Sequence, residues 1–187
     1  MNAEIFNREK ASFVINLAGL RIVETLCEVL DVCCGGRMFY FDKKDPRVLY
    51  CDIRAEEFIK RRGHRIEHCE VAPDVQCDFT DLPFEDNTFS QVIFDPPHLL
   101  HAGPTGWQMK AYGRLPEDWR DALRKGFAEC FRVLKPNGTL VFKWNETDIK
   151  VSEILALNPH KAVMGHKSGK ASKTHWLCFL KDGATFD

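Results

Sequence analysis

The chain has 187 residues, of which 44% are hydrophobic and 28% charged, with a formal net charge of −1. That length fills one good core and points to a single domain over 1–187. The balance is that of an ordinary soluble globular protein, and it excludes a global basic field that would draw nucleic acid non-specifically. In chain order, Ser12 to Glu24 carries Phe13, Leu17, Leu20 and Val23 on roughly one helical stripe, with Ser12 as a plausible cap, and is expected to be a helix. Val29 to Val32 reads as a short buried strand, followed by a Gly35-Gly36 turn. Arg47 to Cys51 reads as a second strand, ending at Asp52. Arg54 to Arg62 reads as a helix stopped at Gly63, and Val75 to Phe79 as a third strand. A fourth apolar strand, Ser90 to Phe94, runs into a long irregular loop. The clearest helix is Glu117 to Leu134, with Trp119, Leu123, Phe127, Cys130 and Leu134 on one face and Pro136 and Gly138 to end it. Thr139 to Trp144 is expected as a fifth strand and Asp148 to Leu157 as a short helix. Lys161 to Met164 and Thr174 to Leu180 are expected as strands around a Gly/Ser/Lys-rich loop.

Strands alternating with helices predict an α/β fold. The expected form is a Rossmann-like, doubly wound sheet, mostly parallel and covered on both faces, with an antiparallel pair at the C-terminal edge. Ligands in such sheets bind at the carboxyl ends of the strands, near the switch point. Asp31, Asp52, Asp78, Asp95 and Asn145 all fall at predicted strand ends.

At the first of these ends, Asp31 precedes the small-residue run Val32-Cys33-Cys34-Gly35-Gly36, where a ligand could approach the backbone closely. Asp52 follows Asp31 by 21 residues, at the end of the next strand, a place from which a carboxylate can accept both ribose hydroxyls of a nucleotide-like cofactor. Each acid taken singly could merely end a strand. At Asp95-Pro96-Pro97-His98 an acid is followed by two prolines with fixed φ and no N–H. The turn is stiff, its carbonyls point outward, and it forms a rigid acceptor for an –NH2 group, as methyl transfer onto an amine requires.

These residues carry a family resemblance that covers Val29 to Leu180. The chain resembles the class I S-adenosylmethionine-dependent methyltransferases. Asp31 to Gly36 is similar to the family's first motif, with Cys33 and Arg37 where glycines are usual. Asp52, next to Ile53, resembles the ribose-binding acid, and Asp78-Phe79 the segment that holds the adenine ring. The runs Leu82-Pro83-Phe84-Glu85-Asp86-Asn87-Thr88-Phe89 and Phe131-Arg132-Val133-Leu134-Lys135-Pro136-Asn137-Gly138 are characteristic of the family. Asp95-Pro96-Pro97-His98 resembles the Asp/Asn/Ser-Pro-Pro-aromatic motif of amino-methyltransferases, with histidine where tyrosine, phenylalanine or tryptophan is commoner. The resemblance implies S-adenosylmethionine as cofactor, held by Asp31, Cys33, Gly35, Gly36, Asp52, Ile53, Asp78 and Phe79. It implies Asp95, Pro96, Pro97 and His98 as the catalytic set. The acceptor it implies is the exocyclic amine of a base in DNA or RNA, or a glutamine amide.

Several features stay open at this level. His98 can stack on a substrate ring or be a surface histidine. Residues 99–116 can form a lid or substrate reader in which Trp107 and Tyr112 stack on a base, or these rings can anchor the loop to the core. Lys60-Arg61-Arg62, and Lys167, Lys170 and Lys173 with His166 and His175, can contact phosphates or be solvated charge. His64 and His68 lack a third ligand, so no metal is expected. The eight cysteines form no C-x-x-C pair, and they read as reduced, mostly buried thiols in a cytoplasmic setting. Met1 to Lys10 is polar and charged, unlike a secretory leader, and no apolar run approaches the ~20 residues of a membrane span. A methyltransferase of a small amine or protein amide is one rival, and a cofactor-binding regulatory subunit without turnover is another. A nicotinamide-dependent enzyme is disfavoured because Asp31 to Gly36 lacks G-x-G-x-x-G spacing.

Overall fold

The computed structural model describes residues 3–15, 20–62, 64–101, 107–169 and 172–183. In chain order the elements are β1 (Glu4–Ile5), β2 (Ala11–Ile15), β3 (Arg21–Thr25), β4 (Val29–Asp31), β5 (Val48–Asp52), β6 (Glu56–Arg62), β7 (Arg65–Val71), β8 (Val75–Gln76) and β9 (Phe89–Phe94). They continue with α1 (Trp107–Tyr112), α2 (Trp119–Val133), β10 (Leu134–Asn145), α3 (Val151–Leu155), β11 (Met164–Lys167) and β12 (Thr174–Leu180). Eight strands form the central sheet in the order β1-β8-β5-β4-β9-β10-β12-β11. Strands β8, β5, β4, β9 and β10 run parallel. β12 is antiparallel to β10, β11 to β12, and β1 to β8. The expected mostly parallel sheet with an antiparallel C-terminal edge is therefore present.

Burial explains the central strands. All five residues of β5 are buried, as are Leu30 on the adjacent β4 and Phe89, Val92 and Phe94 on β9 beyond it. Such continuous apolar runs are what a parallel sheet covered on two sides requires. The amphipathic α2 lays Trp119, Leu123, Phe127, Cys130 and Phe131 on the sheet. Gly126 sets how close it comes, because a Cβ there would lie 2.7 Å from the Phe79 ring and 2.8 Å from that of Phe94. Glycine costs about 1 kcal/mol of helix propensity at such a position; here it lets helix and strand touch. Phe94 then meets Phe127 edge-on at 5.4 Å, and Phe127 meets Phe142 at 4.9 Å. The two family-like runs are joined by Arg132, which donates to the carbonyls of Phe84 (2.7 Å) and Leu82 (2.9 Å) and pairs with Asp86 at 2.9 Å.

Two expected helices are hairpins instead. Ser12 to Glu24 contributes β2 and β3, with Phe13 opposite Val23 and Val14 opposite Ile22. Val14, Ile15, Ile22 and Val23 are β-branched and stiff, and pair well across a pleated surface. The supposed stripe is not a buried face, since Leu20 is 61% exposed and Leu17 lies outside the described residues. Arg54 to Arg62 contributes β6, paired with the unanticipated β7. Its alternation places Phe58 and Lys60 inside and Ile59 outside. Gly63, read as a helix stop, is outside the described residues.

In the same region the described residues cross between strands without helices. Among the described residues, neither crossover flanking β5 carries a helix. Residues 32–47, between β4 and β5, are instead held by Arg37, whose φ is +53°. Its guanidinium donates to the carbonyls of Lys43 and Ala72 and lies 3.7 Å above the Tyr50 ring.

Other boundaries moved by a few residues. β8 ends at Gln76 because Asp78 folds the chain back, accepting from the Thr80 amide at 2.8 Å. β10 begins at Leu134 and shifts register before Thr139, where Asn137 takes φ +62°. β11 is displaced to Met164–Lys167, where His166 pairs with Trp176, and α3 keeps only the middle of the expected Asp148 to Leu157.

Candidate active site

A cleft of about 910 Å³ opens at the carboxyl ends of β4, β5, β9 and β10, with α1 along its side. The volume is in the range of small-molecule and cofactor sites. Cys33, Gly35 and Gly36 form part of its wall, as do Asp52 and Ile53 after β5, and Asp78 and Phe79 after β8. Asp95, Pro96, Pro97 and His98 line it from the end of β9. Parallel strands thus bring together eleven of the twelve residues singled out in the sequence.

Asp31 is placed differently. It is fully buried below the turn, where its carboxylate accepts from the Tyr40 hydroxyl at 2.9 Å and the Cys33 amide at 3.1 Å. Burial is the main cause that pushes its carboxyl up from 3.8 to about 7, against the Tyr40 and Cys33 hydrogen bonds. Its observed contacts tie the β4–β5 crossover to the sheet.

Asp52 is engaged on both oxygens. It accepts from the Gly35 amide (3.0 Å), where Gly35 has φ +47°, and from the Arg54 amide (3.0 Å) and Nε (3.1 Å). Arg54 also donates through Nη1 to the Lys110 carbonyl in α1 at 2.7 Å. Asp78 Oδ1 accepts from the Thr80 amide and hydroxyl at 2.8 and 2.9 Å, and Phe79 packs on Phe94 at 5.4 Å.

Asp95 forms an ion pair with Lys143. The cause is register: β9 and β10 run parallel with Phe94 opposite Phe142, so the next residues, Asp95 and Lys143, emerge side by side. Burial pushes the Asp95 carboxyl up, and the Lys143 charge and hydrogen bond act against that rise. Lys143 also lies 5.4 Å from the Phe39 ring centroid and 5.7 Å from that of Trp176. His98 stands 6.0 Å from Tyr112 and 6.4 Å, edge-on, from Trp144. Burial, and then Lys143, lower its pKa, so the ring is neutral near pH 7.

The stretch 99–116 is tied at both ends, with the Leu115 amide donating to the Leu99 carbonyl at 3.0 Å and the Leu100 amide to Asp148 at 2.8 Å. Met109 to Pro116, Tyr112 included, line the cleft. Residues 102–106 and the Trp107 side chain are outside the described residues. Gly113, at φ +71°, lies so near the diproline that a Cβ would sit 3.0 Å from Pro97 Cγ.

Several of the basic residues lie against acids. Lys60 points inward and lies 3.9 Å from Glu67, while Lys167 and His175 share Glu146 at 2.9 and 3.1 Å. His166 and Lys173 are exposed, and Lys170 and the Arg62 side chain are outside the described residues. Among the described residues, no three His, Cys, Asp or Glu side chains are grouped to hold a metal. No helix of the described residues is long and apolar enough to cross a membrane.

Lys143 and Arg54 are the site residues that sequence reasoning missed. Lys143 had a signal, as the one cation inside the apolar run Leu140 to Trp144. Arg54 follows Asp52 by two residues but was assigned to a helix.

No family model and no curated protein sequence matches the chain. Solved structures do. A TehB-like SAM-dependent methyltransferase from Corynebacterium glutamicum superposes with TM-score 0.52 at 16% identity, over 83% of this chain and 80% of that one. The fold is the class I methyltransferase fold. A SAM-dependent methyltransferase from Methanosarcina mazei gives TM-score 0.51 at 12% identity, over 83% of this chain and 92% of that one. A Pyrococcus horikoshii protein gives 0.52 at 17% identity, over 82% and 81%. In the class I fold described here, the helix-free crossovers around β5 lie on the side that carries Gly35, Gly36 and Asp52.

Proposed function

We propose that this chain is an S-adenosylmethionine-dependent N-methyltransferase acting on an exocyclic amine of a DNA or RNA base. One observation carries the reading: the rigid acceptor Asp95-Pro96-Pro97-His98 opens into the same cleft as the Gly35-Gly36 turn, Asp52 and Asp78. The donor set fits a nucleoside-type cofactor, with small residues where backbone must come close and a carboxylate at the second strand end. Gly35 and Gly36 would hold its amino-acid end with Cys33. Asp52 and Ile53 would meet the ribose, and Asp78 and Phe79 the adenine. Asp31 would act from below, by shaping the turn. S-adenosylmethionine, when bound, supplies an electrophilic methyl group.

The chain's own residues supply the rest. An exocyclic amine shares its lone pair with the ring and is a poor nucleophile. The Asp95 carboxylate and the Pro96 carbonyl would each accept one N–H, which frees the nitrogen to pyramidalise and turns its lone pair toward the methyl. Alignment of this kind is worth up to about 7–11 kcal/mol, and preplaced acceptors meet the positive charge that develops on nitrogen. The surplus proton passes to Asp95, whose basicity burial raises. His98 and Tyr112 would flank the base, which in a duplex must first be flipped out at a cost of a few kcal/mol.

A small amine or a protein amide is the second reading. It is favoured by the pairing of Lys60 and Lys167 with acids, which leaves less free positive charge for phosphates. Transfer of a tritiated methyl to total DNA, total RNA and protein extract separates the two. Label is expected on a base amine after nuclease digestion. Label only in a small-molecule or protein fraction would reject the nucleic-acid acceptor.

A further inference from the structure

We infer that Lys143 is a specificity-determining residue: it donates a hydrogen bond to the acceptor atom beside the reacting amine, such as the ring nitrogen N1 of adenine or N3 of cytosine, and so selects against amines that lack a neighbouring acceptor. This rests on the proposed role of Asp95 as the clamp for an –NH2 group.

Lys143 lines the cleft and touches the Asp95 carboxylate. An ammonium has three N–H donors and no acceptor, and Asp95 takes one of Lys143's donors. The ladder therefore presents an acceptor and a donor next to each other at one strand end, Asp95 from β9 and Lys143 from β10. That pair is the complement of a group with a donor next to an acceptor. The Watson–Crick edge of adenine offers its N6 amine beside N1, and that of cytosine its N4 amine beside N3. Guanine presents its N2 amine between N1–H, a second donor that would face the ammonium, and N3, an acceptor, so it fits the pair in only one of two orientations. An alkylamine has no acceptor at the required place, whereas a carboxamide offers its carbonyl there and is separated from a base by the oligonucleotide measurements.

The surroundings strengthen the interaction. Phe39 and Trp176 flank Lys143 and meet each other edge-on at 5.4 Å. Aromatic walls lower the local dielectric, and hydrogen bonds from an ionised donor are about twice as strong as neutral ones. A site built to pair such a group rejects an analogue that lacks it, because the half-buried donor then loses a partner in the cleft.

The test uses short single-stranded oligonucleotides that differ at one base. One pair compares adenine with 1-deazaadenine and the other cytosine with 3-deazacytosine, so the amine stays and the ring acceptor becomes C–H. Affinity is measured with S-adenosylhomocysteine present, which permits no transfer. The wild-type protein is expected to bind the natural base of at least one pair about ten-fold more tightly. Lys143→Met should remove that preference, and Lys143→Arg, which keeps a donor, should retain part of it. The wild-type comparison needs no variant and stands whether or not Lys143→Met folds. Equal affinities in both pairs, or a preference that survives in a folded Lys143→Met protein, would overturn the role of Lys143. If equal affinities accompany methyl transfer to a base amine, the inference fails while the proposed function stands. Absence of binding to every oligonucleotide overturns both.

Discussion

The Arg54 guanidinium grips the Asp52 carboxylate and, through its remaining nitrogen, holds the carbonyl of Lys110 in α1. One side chain thus links the acid proposed for the cofactor ribose to the segment that walls the cleft. A ribose at Asp52 has to displace Arg54. Arg54→Ala is therefore expected to lower the dissociation constant for S-adenosylhomocysteine several-fold and to make the 99–116 segment more sensitive to protease. Calorimetry and limited proteolysis read the two effects, and an unchanged dissociation constant would separate Arg54 from the cofactor. Asp52→Ala should act in the opposite direction, weakening binding about ten-fold or more by loss of charge-assisted hydrogen bonds.

Asp95→Ala removes the acceptor proposed for the amine. Methyl transfer should fall by about 10²–10³-fold, as when a preplaced polar group is lost from a transition-state site. Cofactor affinity should stay within a few-fold, since Asp52 and Asp78 remain. Single-turnover transfer beside a binding titration tests both halves. Retained transfer would make the diproline turn a structural element only.

Asp31 gives a pH dependence of known sign. Its carboxyl is raised from 3.8 to about 7 in the folded protein, so between these values the folded state holds a proton that the unfolded state has released. Stability from this group is then fully present below about pH 4 and declines as pH rises toward 7. Asp31→Asn keeps an acceptor for the Cys33 amide and carries no charge. It should flatten the profile and be more stable than wild type at pH 8, by up to a few kcal/mol. Urea unfolding at pH 5 and pH 8 measures the difference, and parallel profiles would contradict it.

Gly126→Ala is expected to destabilise in spite of alanine's better helix propensity. The new methyl would meet the Phe79 and Phe94 rings at 2.7 and 2.8 Å, and overpacking of this kind costs about 1–3 kcal/mol. Transfer should fall as well, because these two rings lie next to Asp78 and Asp95 in the chain. The urea midpoint and the initial rate report on each.

Sequence alone disclosed those parts of the fold whose periodicity admits one reading. Helix α2 has a long apolar face at helical spacing, and Thr174 to Leu180 came out with its boundaries intact. The hairpins β2–β3 and β6–β7 were hidden because short segments satisfy helical and strand spacing together. The β-branched pairs Val14-Ile15 and Ile22-Val23 held the better clue. For the site, acids at strand ends follow from local pattern, and those facing the cleft need little more. Lys143 beside Asp95 depends on the register between strands 48 residues apart in sequence, which no local pattern encodes. Arg54 was concealed by the same false helix that hid β6.

The crossover that Arg37 holds over Tyr50 gives the cleft two walls of unequal stiffness. On the acceptor side, Pro96 and Pro97 continue from a strand whose Phe94 is locked among aromatic rings. On the opposite side, Gly35, Gly36 and Phe39 belong to a helix-free span held by separate side-chain fastenings, Arg37 on the Lys43 and Ala72 carbonyls and the Tyr50 ring, Asp31 on Tyr40 and Cys33, and Asp52 on the Gly35 amide. Deformation on ligand entry will concentrate in the yielding wall. In the proposed role such a cleft tolerates variation in the methyl donor and very little in the angle at which an amine arrives.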